Sequence, residues 1–258
     1  MANDPTARPE NLSPGSRSDG STGDATLASA GRGVGWDAPA MPLRQAAYEK
    51  IEAYLNEGEL IPGQVVSQRE LVERTGLTLG AIREAIPRLE AEGLLQTLPK
   101  RGLIVPSLDV SFVREAYQLR VMIEMTACPI AVRSIPKQKV EGWIAEHEEA
   151  ARKLSVDADA QVAVEFQKLD WALHDEIVAA LGNRLIENVY RVTAIKTRMA
   201  VQRHIKVTPA NAERVIREHL VFLTAMRDGR LEEAVEGLRI HVTNSQTLAL
   251  GGTLDSAS

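Results

Sequence analysis

Four side chains in the C-terminal half of the sequence are of the types, and at the spacings, that could hold a divalent metal. Asp170 and His174 stand four residues apart, so on a helix they stack on one face. That face also carries Phe166, Leu169, Leu173, Ile177 and Leu181, which turns the two polar groups inward. His219 shares a stripe with Val215, Phe222 and Met226, and His241 shares one with Leu231, Ala234, Val235 and Leu238. The Asp228-Gly229-Arg230 turn folds these last two stretches into an antiparallel hairpin. At 1.5 Å of rise per residue, His219 and His241 lie roughly 15 and 18 Å from the turn, nearly level. Inward imidazoles and an inward carboxylate are costly to bury unless paired, and one metal ion would satisfy all four. Three nitrogens and one oxygen suit Zn²⁺ first, with Ni²⁺, Mn²⁺ and Co²⁺ as alternatives.

Arg120 falls on an inner stripe with Val113, Ala116, Tyr117, Ile123 and Ala127. A guanidinium there needs an anion, either Glu124 one helical turn on or the carboxylate of a ligand. His147, beside Ile144 and Ala151, is open between core and site, and His204, among Arg203 and Lys206, reads as surface.

The elements that must position these residues follow from periodicity. From Pro106 onward the pattern is helical, with apolar stripes over 110–134, 137–154, 160–181, 184–205, 211–228 and 231–249. Six helices with short joints make an antiparallel bundle. Upstream, residues 41–57 form a helix that Gly58 and Ile61-Pro62-Gly63 end. Ser67 caps a second helix, with Glu70 completing a capping box, and Thr78 caps a third that closes at Gly93. Extended runs at 94–98 and 103–105, joined by Pro99-Lys100-Arg101-Gly102, form a β-hairpin. Helix, helix, tight turn, helix and basic-tipped hairpin describe a winged helix-turn-helix. Its candidate contacts to double-stranded DNA are Arg69, Thr78, Arg83, Lys100 and Arg101, where cations meet phosphate and the start of the third helix enters the major groove.

The expected fold is therefore mainly α. A disordered tail over 1–40, poor in large apolar residues, precedes a winged helix-turn-helix over 41–106. A linker over 107–109 leads to a helical metal- and ligand-binding domain over 110–250, and 251–258 is a flexible C-terminus. The 258 residues carry 30 Lys and Arg against 35 Asp and Glu, and are 44% hydrophobic but only 4% aromatic. That composition favours helices with aliphatic cores. A single cysteine, Cys128, excludes an internal disulfide framework and a Cys₄ zinc site and suits a cytoplasmic protein. No apolar run approaches the ~20 residues needed to span a bilayer, and no secretory signal is visible. The net charge of −5 does not exclude DNA. Residues 41–106 hold 8 basic against 9 acidic residues, so binding would rest on a few placed arginines and on a dimer that doubles them.

The stretch SQRELVERTGLTLGAIREAIPRLEAEGLLQTLPKRGLIV resembles the winged-helix signature of the GntR family of bacterial transcription regulators. YQLRVMIE, LDWALHDEIV and the two late histidines resemble the ligand-sensing (FCD-type) domain of its FadR subgroup. The resemblance covers about residues 41–250. It implies operator contacts at Arg69, Arg83 and the Arg101-Gly102 wing tip, metal ligands at Asp170, His174, His219 and His241, and an effector-carboxylate arginine at Arg120. It further implies a homodimer, a small organic-acid effector and, most often, repression. Leu79 departs from the family, whose members usually carry a groove-facing arginine there, and Gly80 and Ala81 also replace commoner residues. Pro87 falls inside the recognition helix, where it is expected to kink the half beyond the DNA-facing turn.

One reading from another class is a metal-dependent HD-type phosphohydrolase, since His174-Asp175 is an HD dipeptide with His147 upstream. Asp175 lies about 100° round the helix from His174, off the apolar stripe, and no lysine-bearing phosphate site accompanies it. A purely structural metal in a bundle that only dimerises is the remaining version.

Overall fold

A computed structural model describes residues 41–156, 160–201 and 208–254. The expectations for the tail over 1–40, for His204 and for residues 255–258 lie outside them. Helix α1 (Leu43–Glu57) starts directly after Pro42, buries Ala47, Tyr48, Ile51 and Leu55, and ends at Gly58 in the left-handed region. Strand β1 (Val65–Val66) follows; two residues are too few to show alternation, and no sequence pattern marks it. In α2 (Gln68–Thr75) the Ser67 hydroxyl accepts from the Glu70 amide at 3.0 Å. The other half of the expected capping box is not formed, because the Glu70 carboxylate accepts from Arg74 Nη2 at 2.6 Å instead.

Helix α3 (Leu79–Ala91) is capped by Thr78 and runs through Pro87 without ending there. Pro87 is exposed. Its missing hydrogen bond therefore falls on the solvent side, where water can serve the freed Arg83 carbonyl. Strands β2 (Gln96–Leu98) and β3 (Gly102–Ile104) form the expected hairpin, and β1 joins it to give the antiparallel order β1-β3-β2. Val65 lies opposite Ile104, and Leu103 opposite both Val66 and Thr97. Gly102 has φ 108°, and a Cβ there would stand 2.7 Å from the Val66 carbonyl oxygen. The glycine is thus required by strand packing as well as by the turn.

The remaining helices are α4 (Val110–Ser134), α5 (Lys137–Val156), α6 (Ala160–Ala179), α7 (Arg184–Val201), α8 (Pro209–Arg227) and α9 (Leu231–Ala249). Asp109 caps α4 by accepting from the Phe112 amide at 2.8 Å. Pro129 sits inside α4, a breaker the periodicity passes over, and the helix continues across it. Helices α8 and α9 pair as a hairpin, α4 packs on α9, α6 and α7, and α5 packs on α8. Between them lies a core of Cys128, Leu173, Ile177, Phe222, Leu223, Leu238 and Val242. No helix among the described residues is long and apolar enough to cross a membrane.

Sequence periodicity does not reveal how the two halves meet. Ile195 and Met199 of α7 are fully buried in the winged-helix core with Ile51, Leu55 and Leu89. Burial of two such side chains contributes about 1.5–3 kcal/mol each. Arg191, on the same face, reaches Glu52 at 2.7 Å and donates to the Tyr48 hydroxyl at 2.7 Å, while Tyr48 donates to Glu92 at 2.5 Å. Within the segment 107–109, Leu108 packs against both cores.

Candidate functional site

Helix α6 supplies Asp170 and His174, α8 supplies His219, and α9 supplies His241. Their ligand atoms all lie within 4.8 Å of one another. His174 Nε2 is 3.5 Å from Asp170 Oδ1 and 3.3 Å from His241 Nε2; His219 Nε2 is 3.2 Å from Asp170 Oδ1 and 3.3 Å from His241 Nε2. His241 Nε2 lies 4.0 Å from the carboxylate. Four ligands around Zn²⁺ at 2.0–2.1 Å have edges of roughly 3.3 Å, so the spacing fits a metal ion.

The outward nitrogens explain why all three rings turn the same atom inward. His174 Nδ1 donates to Glu124 Oε2 at 2.8 Å and His241 Nδ1 to Glu218 Oε2 at 2.9 Å. His219 Nδ1 meets Nε2 of His147 at 2.9 Å, and His147 Nδ1 lies 2.6 Å from the Trp143 carbonyl oxygen. A carbonyl only accepts, so His147 donates through Nδ1 and offers an Nε2 lone pair to the His219 N–H. Each ring is thereby held with its Nε2 lone pair facing Asp170. Three lone pairs and a carboxylate converging in a buried space form a donor set for a cation, and orienting partners of this kind accompany metal-binding histidines. The donor chemistry and the spacing both fit.

Electrostatics favour the neutral ring at His147, His219 and His241 and the charged ring at His174. Burial pulls His147, His219 and His241 below the ordinary imidazole value, and for His219 the neighbouring His241 adds to the effect. Burial also opposes charge on His174, but the Glu124 carboxylate outweighs it and moves that group up. Burial opposes ionisation of Asp170 and Glu124 as well. The imidazoles around Asp170, and Arg120 with His174 around Glu124, overcome it and hold both carboxyls below their ordinary values.

Of the two partners open to Arg120, the internal one is present: Arg120 Nε donates to Glu124 Oε1 at 2.5 Å. Glu124, fully buried, also accepts from the Tyr190 hydroxyl at 2.7 Å, so one carboxylate ties Arg120 to His174. The η nitrogens of Arg120 have no hydrogen-bond partner among the described residues, and Arg120 lines a cavity of about 130 Å³ shared with Asp170, His174 and His241. By sequence, Glu124 is only a helix partner for Arg120, and His147 is open between core and site; in the fold both orient the histidines. The HD reading fails on geometry, because Asp170 and not Asp175 joins the histidine group, and Asp175 is exposed.

At the winged helix, Arg69, Arg83, Lys100 and Arg101 are all exposed. None has a carboxylate within ion-pair distance among the described residues, whereas Arg74 and Arg88 nearby are paired with Glu70 and Glu92. Arg83 Nε donates to Gln68 Oε1 at 3.1 Å, which steadies it at the start of α2. Thr78 Oγ1 accepts from the Ala81 amide at 3.2 Å, so its hydroxyl serves α3 first. Lys100 has φ 64° at the wing tip, where the Arg101 amide donates to the Leu98 carbonyl at 3.0 Å. Arg44, which no sequence pattern singles out, borders the same hollow as Thr78, Gly80 and Glu84.

A three-stranded wing on a helix-turn-helix, joined to a helical bundle that holds a cavity, is the architecture of a transcriptional regulator. Comparison with known proteins names the family. The FCD domain profile matches residues 115–244, and that of the bacterial regulatory proteins of the gntR family matches 43–105. The chain belongs to the GntR family of regulators carrying an FCD domain, an architecture that fits the FadR subfamily. It is 25% identical over 201 residues to the HTH-type transcriptional repressor RspR of Escherichia coli (strain K12), covering 77% of this chain and 84% of that one. It is 23% identical over 198 residues to the HTH-type transcriptional regulator YdhC of Bacillus subtilis (strain 168), covering 75% and 85%. The fold is shared with E. coli McbR/YncC, at TM-score 0.69 and 18% identity over 82% of this chain and 98% of that one. It is also shared with a GntR transcriptional regulator from Rhodococcus sp. RHA1, at TM-score 0.64 and 16% identity over 82% and 99%.

Proposed function

We propose that the protein is a homodimeric, cytoplasmic repressor without enzymatic activity, whose hold on a two-fold operator is set by a small organic acid. The observation that carries this reading is the convergence of three Nε2 lone pairs on Asp170 beside a cavity lined by Arg120. Asp170, His174, His219 and His241 would hold a divalent metal, zinc first, and the metal when bound would supply a Lewis-acidic site for a carboxylate. Arg120 offers its η nitrogens to the same carboxylate while Glu124 keeps its Nε in place. At the DNA end, the unpaired Arg69, Arg83, Lys100 and Arg101 are suited to phosphate and base edges, with Arg44 as an added phosphate contact. Leu79 is exposed at the first turn of α3 and presents apolar surface suited to a thymine methyl group, so the operator differs from that of relatives with arginine there.

The test combines elemental analysis of dialysed protein with operator selection from random duplexes, followed by binding in the presence of candidate acids. About one metal per chain is expected, lost in His174→Ala. A two-fold selected site and an acid response that Arg120→Ala removes complete the expectation. Absence of metal from wild type, or an unchanged acid response in Arg120→Ala, would overturn the corresponding part.

A further inference from the structure

Among the described residues three arginines line the cavity, and their surroundings differ. Arg120 is neutralised by Glu124 and Arg214 by Glu218, each one helical turn on. Arg198 of α7 has no carboxylate within ion-pair distance among the described residues. Its guanidinium lies over the Trp171 ring, 4.1 Å from the centroid, and its Nη1 donates to Asn56 Oδ1 of α1 at 3.0 Å. Burial outweighs the through-space pull of Asp175 and moves Arg198 below the ordinary guanidinium value, so its charge is under-compensated where it stands. A planar guanidinium with one neutral hydrogen-bond partner among the described residues, backed by an aromatic face and open to a cavity, is a receptor for a carboxylate.

We propose that Arg198 forms a second anion subsite and that the effector is a dianionic organic acid, with one carboxylate towards Arg120 and the histidines and the other on Arg198. The inference rests on the reading of this cavity as the effector site and names the ligand class. It also gives the site a connection to the DNA-binding half. The group that holds Arg198 is Asn56, on a winged-helix element, so an anion that takes the guanidinium competes with that tie.

The test is calorimetric titration of the full-length, Zn²⁺-loaded protein with succinate, glutarate and adipate, each against the monoacid of equal length: butyrate, pentanoate and hexanoate. A charge-assisted guanidinium–carboxylate contact implies that at least one diacid binds about tenfold or more tighter than its monoacid. Arg198→Gln should bring that pair within about twofold while monoacid affinity stays at the wild-type value, and Arg198→Lys should keep part of the preference. Equal binding of diacids and monoacids by wild type overturns the subsite and leaves the effector reading standing. So does a preference that survives in Arg198→Gln, or a loss of monoacid binding in that variant. If no acid of either series binds, the effector reading of the cavity falls and the subsite with it.

Discussion

Replacing His147 with leucine should weaken metal retention although His147 is not a ligand. Both His147 and His219 are fully buried, and the rings of Phe166 and Phe222 stand beside them at centroid distances of 5.2 Å. Leucine leaves the His219 Nδ1 proton with no acceptor in an apolar space, at a cost of about 1–3 kcal/mol. The ring escapes that cost by moving its proton to Nε2, which lies 3.2 Å from Asp170 Oδ1 and can donate to it. The lone pair a metal needs is then occupied. Metal binding must reverse this, so the same 1–3 kcal/mol appears as a rise in Kd of roughly 5- to 150-fold. His147→Gln supplies an amide oxygen where Nε2 stood and should recover most of the affinity. The assay is Zn²⁺ competition against a chromophoric chelator on apo protein, with thermal unfolding of each apo variant measured separately. A Kd for His147→Leu within twofold of wild type would refute the reasoning, as would a glutamine variant no better than leucine when both are folded.

Glu124→Gln breaks a buried carboxylate with three donors and should destabilise the fold by about 3–5 kcal/mol in chemical denaturation. The Glu124 pKa is depressed in the fold, so its stabilisation is complete above its ordinary value of 4.5 and lost as pH falls below it; the variant should show a flatter acid limb, and an unchanged one would count against the assignment. Gly237→Ala puts a Cβ 3.0 Å from that of Phe222, between α8 and α9. Overpacking of about 1–3 kcal/mol, less about 1 kcal/mol from helix propensity, should lower stability and loosen the His219–His241 spacing, read as weaker Zn²⁺ binding. Lys100→Gly relieves a positive φ at the wing tip and should raise stability by up to about 1 kcal/mol. It removes one phosphate-binding cation, so the salt slope of operator binding should fall by about one per subunit; a less stable variant or an unchanged slope would contradict the wing assignment.

The cluster of Asp170 with His174, His219 and His241 was legible because helix geometry makes strong statements over short distances. A four-residue spacing puts Asp170 and His174 on one face, and counting from Gly229 levels His219 with His241. The orienting residues were not legible. Glu124 contacts His174 fifty residues away and His147 contacts His219 seventy-two residues away, pairings that only the packed bundle creates. The winged helix could be read from its caps and turn residues, while β1 escaped because its two residues pair with β3 through register and not through pattern. Pro87 and Pro129 show the opposite failure. Local propensity marks both as breakers, yet each lies in a helix whose other residues are fixed by tertiary packing.

Helix α7 is where the two halves of the proposed function meet. Arg191, Ile195 and Met199 recur at four-residue spacing and face the winged helix, the last two inside its core. Thr193, Ala194, Thr197 and Arg198, one or two residues away in each turn, line the cavity. A close-packed core does not deform continuously, so a shift of α7 towards a bound acid carries Ile195 and Met199 with it and must re-seat α1. The segment Ser107–Asp109 offers less freedom than its length suggests, since Leu108 is packed against both cores. On this account the operator-binding heads are re-aimed through a shared helix and not by a slack joint. The size of the response is then bounded by how differently the acid binds the two seatings of α7.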